Sequence, residues 1–135
     1  NFKVRLRRID YNKTINLDSK HVEAYYSRGF ANKKLGKYQQ ALEDFSQVIR
    51  LHPKHAKAYN DRGIVYKKLG KYQQALEDFS QFIDLFPKSA VAYNNRAVLH
   101  YDFSRLGPAC ADWQKACELG DCTGLNWGKN VGHCK

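Results

Sequence analysis

From Tyr38 to Leu51 the apolar residues Tyr38, Ala41, Leu42, Phe45, Val48 and Ile49 recur every three or four positions. That spacing puts them on one side of an α-helix and leaves charged and amide residues on the other. The preceding stretch, Ala24 to about Leu35, has the same periodicity with Gly29 as its one breaker. Gly36 stands where that helix should stop, because glycine takes positive φ without penalty, and Pro53 closes the second segment. The pattern predicts helix–turn–helix. It then repeats: KKLGKYQQALEDFSQ occurs letter for letter at Lys33–Gln47 and Lys67–Gln81, a period of 34 residues.

A repeat of that length signals an array of small units rather than one irregular core. Three units align, from Ala24, Ala58 and Ala92, the third the most divergent. Small residues recur where paired helices must cross: Gly29, Gly63 and Ala97 on the first helices, Ala41, Ala75 and Ala109 on the second. A glycine inside a helix costs about 1 kcal/mol relative to alanine, and close packing is what offsets it. Asp10–His21 (DYNKTINLDSKH) aligns with the second-helix tail Asp44–His55. It reads as the trailing helix of an earlier unit in a longer array, although NFKVRLRR before it fits the pattern poorly.

These units resemble tetratricopeptide repeats. Tyr25, Gly29, Gly36, Tyr38, Ala41, Phe45 and Pro53 match the family signature in the first unit. Tyr59, Gly63, Tyr66, Gly70, Tyr72, Ala75, Phe79 and Pro87 match it in the second. The third keeps Tyr93, Ala97, Ala109, Trp113 and Ala116, but has Ser104 for the turn glycine and Asp121 for the closing proline. The resemblance implies an all-α fold: a right-handed α-solenoid of helix–turn–helix repeats with a C-terminal capping helix. The boundaries expected are a trailing helix over 1–23, repeats over 24–57, 58–91 and 92–121, and the cap over 122–135. Trp127 and Val131 are the expected apolar anchor of that cap.

Bulk composition narrows the function. The 135 residues are 43% apolar and 27% charged, which suits a folded domain, and no run reaches the roughly 18–20 apolar residues of a membrane span. The net charge is +10, concentrated in the N-terminal half: residues 24–57 carry seven Lys/Arg against two acids. Such a gradient attracts nucleic acid, anionic lipid or an acidic peptide. The Lys residues are not interleaved with aromatics and no nucleic-acid motif appears, so polyanion binding is the alternative and not the leading reading.

Catalysis needs unlike groups gathered at one place, whereas identical copies present one group at intervals along an extended partner. No nucleophile–base pair stands out, and neither an enzyme, a metal nor a cofactor is expected. Arg28, Arg62 and Arg96 recur with Asp44, Asp78 and Asp112. A row of arginines could bind anions, but pairing with the aspartates explains why both recur together.

In the family, the first helix of each repeat lines a concave groove that holds a peptide or protein segment. By alignment the groove residues here are Tyr26, Phe30 and Lys33, then Asn60, Asp61, Ile64 and Lys67, then Asn94, Asn95, Val98 and Tyr101. Phe30, Ile64 and Val98 form an apolar stripe beside amides that can clamp a peptide backbone. Lys33 and Lys67 favour an acidic partner. The Lys, Asn and Arg set with which some members grip a C-terminal carboxylate is absent, its places being held by Tyr26, Phe30, Asp61, Val91 and Asn95. The expected partner is therefore an acidic or extended protein segment, with self-association through the N-terminal helix a further expectation.

All four cysteines fall near the C-terminus. Cys110 and Cys117 are seven residues apart on one helix, about 10.5 Å along its axis, too far to pair. An antiparallel C-terminal segment would set Cys134 beside Cys110 and Cys122 beside Cys117. Nested disulfides, reduced packing thiols and a metal site all stand open on spacing alone. Bridges would place the protein in the periplasm or outside the cell, reduced thiols in the cytoplasm. The segment ACADWQKACELGDC also resembles the closing unit of exported bacterial repeat proteins.

Overall fold

The structure, a computed structural model, describes residues 2–135. The described residues form eight helices and no strand. They fall into two compact units, Asn1–Gly70 and Lys71–Lys135.

The first unit holds α1 (Phe2–Leu17), α2 (Val22–Lys34), α3 (Tyr38–Leu51) and α4 (Ala56–Lys68). The stripe read from the sequence is the buried side of α3: Ala41, Leu42, Phe45 and Val48 are all inaccessible or nearly so. Ala41, Leu42, Phe45 and Val65 form the core, with Tyr26, Tyr38 and Tyr66 packed around it. Gly29 is the point of closest approach: a Cβ there would lie 2.9 Å from Phe45 Cε1 and 3.1 Å from Asp44 Cβ. No side chain fits without displacing the ring. Residues 2–9, whose pattern fits the repeat poorly, are helical as part of α1, but Phe2, Leu6 and Ile9 remain exposed.

The second unit holds α5 (Tyr72–Leu85), α6 (Ala90–Asp102), α7 (Leu106–Glu118) and α8 (Thr123–Asn130). Trp113 occupies the place of Phe45 and Phe79, at the centre of a cluster with Ala97, Ala109, Leu125 and Cys134. The sulfurs of Cys110 and Cys134 are bonded, with Cα atoms 5.6 Å apart, and those of Cys117 and Cys122 are bonded as well.

The cap differs from expectation in its anchor. Trp127 and Val131 are 42% and 45% exposed, and the buried side chain of α8 is Leu125. Gly124 lies against the Trp113 indole and Gly128 against Cys134. Those two approaches turn the Leu125 side of α8 inward and leave Val131 beyond the helix end.

The turn between paired helices is set by a left-handed residue. Gly36 has φ +73° and Gly70 φ +72°, and the third copy places Ser104 at φ +61°. The backbone geometry is retained where the glycine is not, at a steric cost that only glycine escapes.

The first helices begin with a periodic cap that the sequence pattern did not disclose. His21 Nδ1 accepts from the Ala24 amide at 3.1 Å, His55 Nδ1 from Ala58 at 3.2 Å, and Ser89 Oγ from Ala92 at 3.3 Å. These three residues are spaced by 34. Accepting at Nδ1 requires a neutral ring with its proton on Nε2.

Candidate functional site

Two of the recurring arginines, Arg28 and Arg96, are paired with their aspartates. Arg28 donates from Nε and Nη2 to both Asp44 oxygens, at 3.0 and 2.6 Å, and Asn32 donates to the same carboxylate at 3.1 Å. Arg96 grips Asp112 in the same fork, at 2.8 and 2.9 Å. Each aspartate is buried, and hydrogen bonding to it raises the pKa of both guanidiniums above the ordinary arginine value. A second nitrogen reaches the preceding second helix: Arg28 to Asn12, Arg62 to Ser46, Arg96 to Ser80. Asn12, Ser46 and Ser80 are again spaced by 34, so α1 keeps the repeat register at that position. These arginines tie first helices to second helices. An anion-binding row is not what they form.

Within the first unit, three of the residues aligned with the family groove bind one another. Tyr26 donates its hydroxyl to Asp61 at 2.6 Å, and the Lys33 ammonium lies 2.7 Å from the other oxygen of that carboxylate. Burial, then the hydrogen bond to Asp61 and its negative charge, push the Tyr26 phenol far above its usual pKa. Lys33, expected to attract an acidic partner, instead neutralises a buried carboxylate of its own chain. Phe30 stays 36% exposed, with the Lys33 and Lys34 ammoniums 4.6 and 5.1 Å from its ring centre. Asn60, Ile64 and Lys67 are half-buried on α4.

Within the second unit, Val98 is exposed on α6, while Asn94 donates to Asp121 at 2.7 Å. Asn94 Oδ1 is buried without a hydrogen-bond partner. Bonds from Thr123 and Asn94 hold the Asp121 carboxyl below its ordinary pKa. Asn95 is half-buried beside Asn94 in sequence. Tyr101 is stacked on His133 and edge-on to Trp127, with ring centres 5.6 and 5.1 Å apart. Cys134 and its bridge to Cys110 hold the segment that carries His133.

The apolar positions Phe30, Ile64 and Val98 recur at the 34-residue period. Two are exposed and one half-buried, so each first helix offers an apolar contact to solvent. Among the described residues no three His, Cys, Asp or Glu side chains gather as metal ligands, and no helix is long and apolar enough to cross a membrane.

Two family models, both described as tetratricopeptide repeat, match residues 22–55 and 46–100. Together they take in more than half of the sequence, and the chain belongs to the tetratricopeptide-repeat family. Its architecture is an all-α solenoid of helix–turn–helix repeats. A search of curated proteins finds no match. Among solved structures, a crystal structure of MamA superposes with a TM-score of 0.79 at 28% identity, over 83% of this chain and 66% of that one. The chain thus spans just under two-thirds of that relative. The TPR domain of Arabidopsis OM64 gives 0.73 at 22% identity, over 82% of this chain and 92% of that one. The first TPR of Spaghetti (RPAP3), bound to the HSP90 peptide SRMEEVD, gives 0.74 at 22% identity over 84% and 92%. At those two identities the likeness speaks to fold.

Proposed function

We propose that the protein is a non-catalytic scaffold that binds a peptide or protein segment along its first helices. The observation that supports this is the recurrence of the apolar residues Phe30, Ile64 and Val98 on successive first helices, Phe30 and Val98 exposed and Ile64 half-buried. An exposed apolar series suits an interaction surface. The fold-mate bound to the HSP90 peptide supports the same use of the fold. Because Lys33 and Tyr26 are engaged with Asp61, recognition here rests on apolar contacts and amides more than on a carboxylate grip.

The bridged cysteines support work in an oxidising compartment, the periplasm or the exterior, since cytosolic thiols are kept reduced. The basic surface supports polyanion binding as a second reading, through Lys34 and Lys68, both exposed.

A displayed peptide library selected on the chain tests the leading reading. Selected peptides should lose binding to a Phe30→Ser, Val98→Ser double variant that retains full helicity. Undiminished binding to that variant would remove the face from consideration. Retention on heparin that survives moderate salt, and is lost when Lys34 and Lys68 are neutralised, would favour the second reading.

A further inference from the structure

α1 has an apolar side that its packing does not use. At about 100° per residue, Phe2, Leu6 and Ile9 fall within an arc of about 60°. They are 77%, 47% and 49% exposed. The opposite side faces α2: Ile15 is buried there, and Val4 and Tyr11 line a groove with Ser27 and Ala31. The 34-residue register says what the outer side of a second helix ordinarily carries. Leu6 and Ile9 align with Gln40 and Glu43 of α3 and with Gln74 and Glu77 of α5, all exposed. In α3 those two positions stay open although α2 and α4 both pack on that helix. A further first helix ahead of α1, placed in the same register, would likewise leave Leu6 and Ile9 open. Apolar residues at these places are not explained by the repeat.

Cations frame the patch. Arg5 lies on one flank of the arc, Lys3 on the other, and Lys13 one turn further along it, all three exposed. α1 carries five Lys and Arg residues against Asp10 as its one acid. Phe2, Leu6 and Ile9 line neither groove beside α1, one taking Val4, Arg7 and Tyr11 and the other Arg8 and Asn12, so they stand as a ridge. A stable protein contact takes roughly 800 Å² from each partner, and three side chains on a ridge fall well short of that. Two copies meeting on this face would set Lys3, Arg5 and Lys13 against the same cations, on chains of net charge +10. A bilayer surface needs no matched groove. It takes apolar side chains a short way below the headgroups, while long cationic side chains reach back to anionic phosphates.

We propose that the outer face of α1 is a docking surface for an anionic phospholipid bilayer. The helix lies in the plane of the interface, with Phe2, Leu6 and Ile9 inserted and Lys3, Arg5 and Lys13 among the headgroups. Three apolar side chains make the contact peripheral and reversible, so anionic lipid content and salt set its strength. It uses none of the residues of the first-helix face proposed above, nor Lys34 and Lys68.

Co-sedimentation of the full chain with vesicles tests this. It should bind an equal mixture of phosphatidylcholine and phosphatidylglycerol and leave pure phosphatidylcholine in solution. Leu6→Gln with Ile9→Gln keeps the net charge and puts amides where α3 has Gln40 and Glu43, so the fold should hold. Binding should weaken about tenfold in that variant. Lys3→Glu with Arg5→Glu should also cost about tenfold. That loss should exceed the loss from Lys54→Glu with Lys88→Glu, an exposed pair that changes the net charge equally. In bicelles of the mixed composition, nitroxide-labelled lipid should broaden the amide resonances of Leu6 and Ile9. Absence of vesicle binding or of broadening would overturn the proposal. Full binding by the Leu6→Gln, Ile9→Gln variant, or equal losses in the two charge-reversed pairs, would overturn it in favour of diffuse attraction. Sedimentation velocity without lipid showing a dimer that Leu6→Gln and Ile9→Gln dissociate would overturn it in favour of a second copy.

Discussion

A Cβ placed on Gly29 would lie 2.9 Å from the Phe45 ring, a separation that packed side chains do not reach. The first and second helices of this repeat touch at that point, and the glycine is there for the ring. Gly29→Ala sets a helix-propensity gain of about 1 kcal/mol against overpacking of about 1–3 kcal/mol. Overpacking should win: thermal unfolding should show a destabilised variant, with Gly29→Val worse. In the third repeat the same place holds Ala97, packed with the indole of Trp113, so the tolerance belongs to the ring across the crossing.

The forked Arg28–Asp44 pair predicts an asymmetric result. Asp44→Ala leaves a partly buried guanidinium and the Asn32 amide without their shared acceptor, at about 3 kcal/mol. Asp10 is the aligned position 34 residues earlier and is exposed, so Asp10→Ala should change stability by less than about 0.5 kcal/mol. Urea unfolding of the two variants side by side measures the contrast.

Ser104 sits at φ +61° where the other turns have glycine. Ser104→Gly should therefore raise the melting temperature, with a gain of about 1 kcal/mol. The substitution adds flexibility to the unfolded chain, and the relief of left-handed strain should exceed it.

Burial lowers the pKa of His55 and of His100. His55 caps α4 through Nδ1, and His100 Nδ1 lies 2.8 Å from the Tyr72 hydroxyl, with Asp112 3.6 Å from its Nε2. In the unfolded chain they take up protons near pH 6.5, before the folded rings do. The unfolded state thus binds more protons as pH falls through that range, and stability decreases with it. Melting temperature should be level above about pH 7 and drop toward pH 5. His55→Ser, which copies the Ser89 cap, should reduce the drop. A melting temperature that rises on acidification would contradict this account.

The helices were legible in the sequence because identical residues recur. The span of α3, the left-handed turn at Gly36 and the Arg–Asp ties all follow from residues present in more than one copy. What lacked a copy was not legible. Asp61 aligns with Ser27 and Asn95, so nothing in the repeat announced that Lys33, 28 residues earlier, would pair with it. The anchor of α8 was misplaced for a related reason. An eight-residue helix carrying two glycines is oriented by Trp113 and Cys134, which press on Gly124 and Gly128, and not by its own pattern. Histidine caps escaped notice because serine, threonine, aspartate and asparagine are the usual residues there.

The apolar series on the first helices is best tested by a crystal structure of the chain with a library-selected peptide. Density over Phe30, Ile64 and Val98, with the pairing of Tyr26, Lys33 and Asp61 undisturbed, is the predicted result. A peptide seated away from all three side chains, or one that breaks Lys33 from Asp61 to take its own carboxylate there, would contradict it.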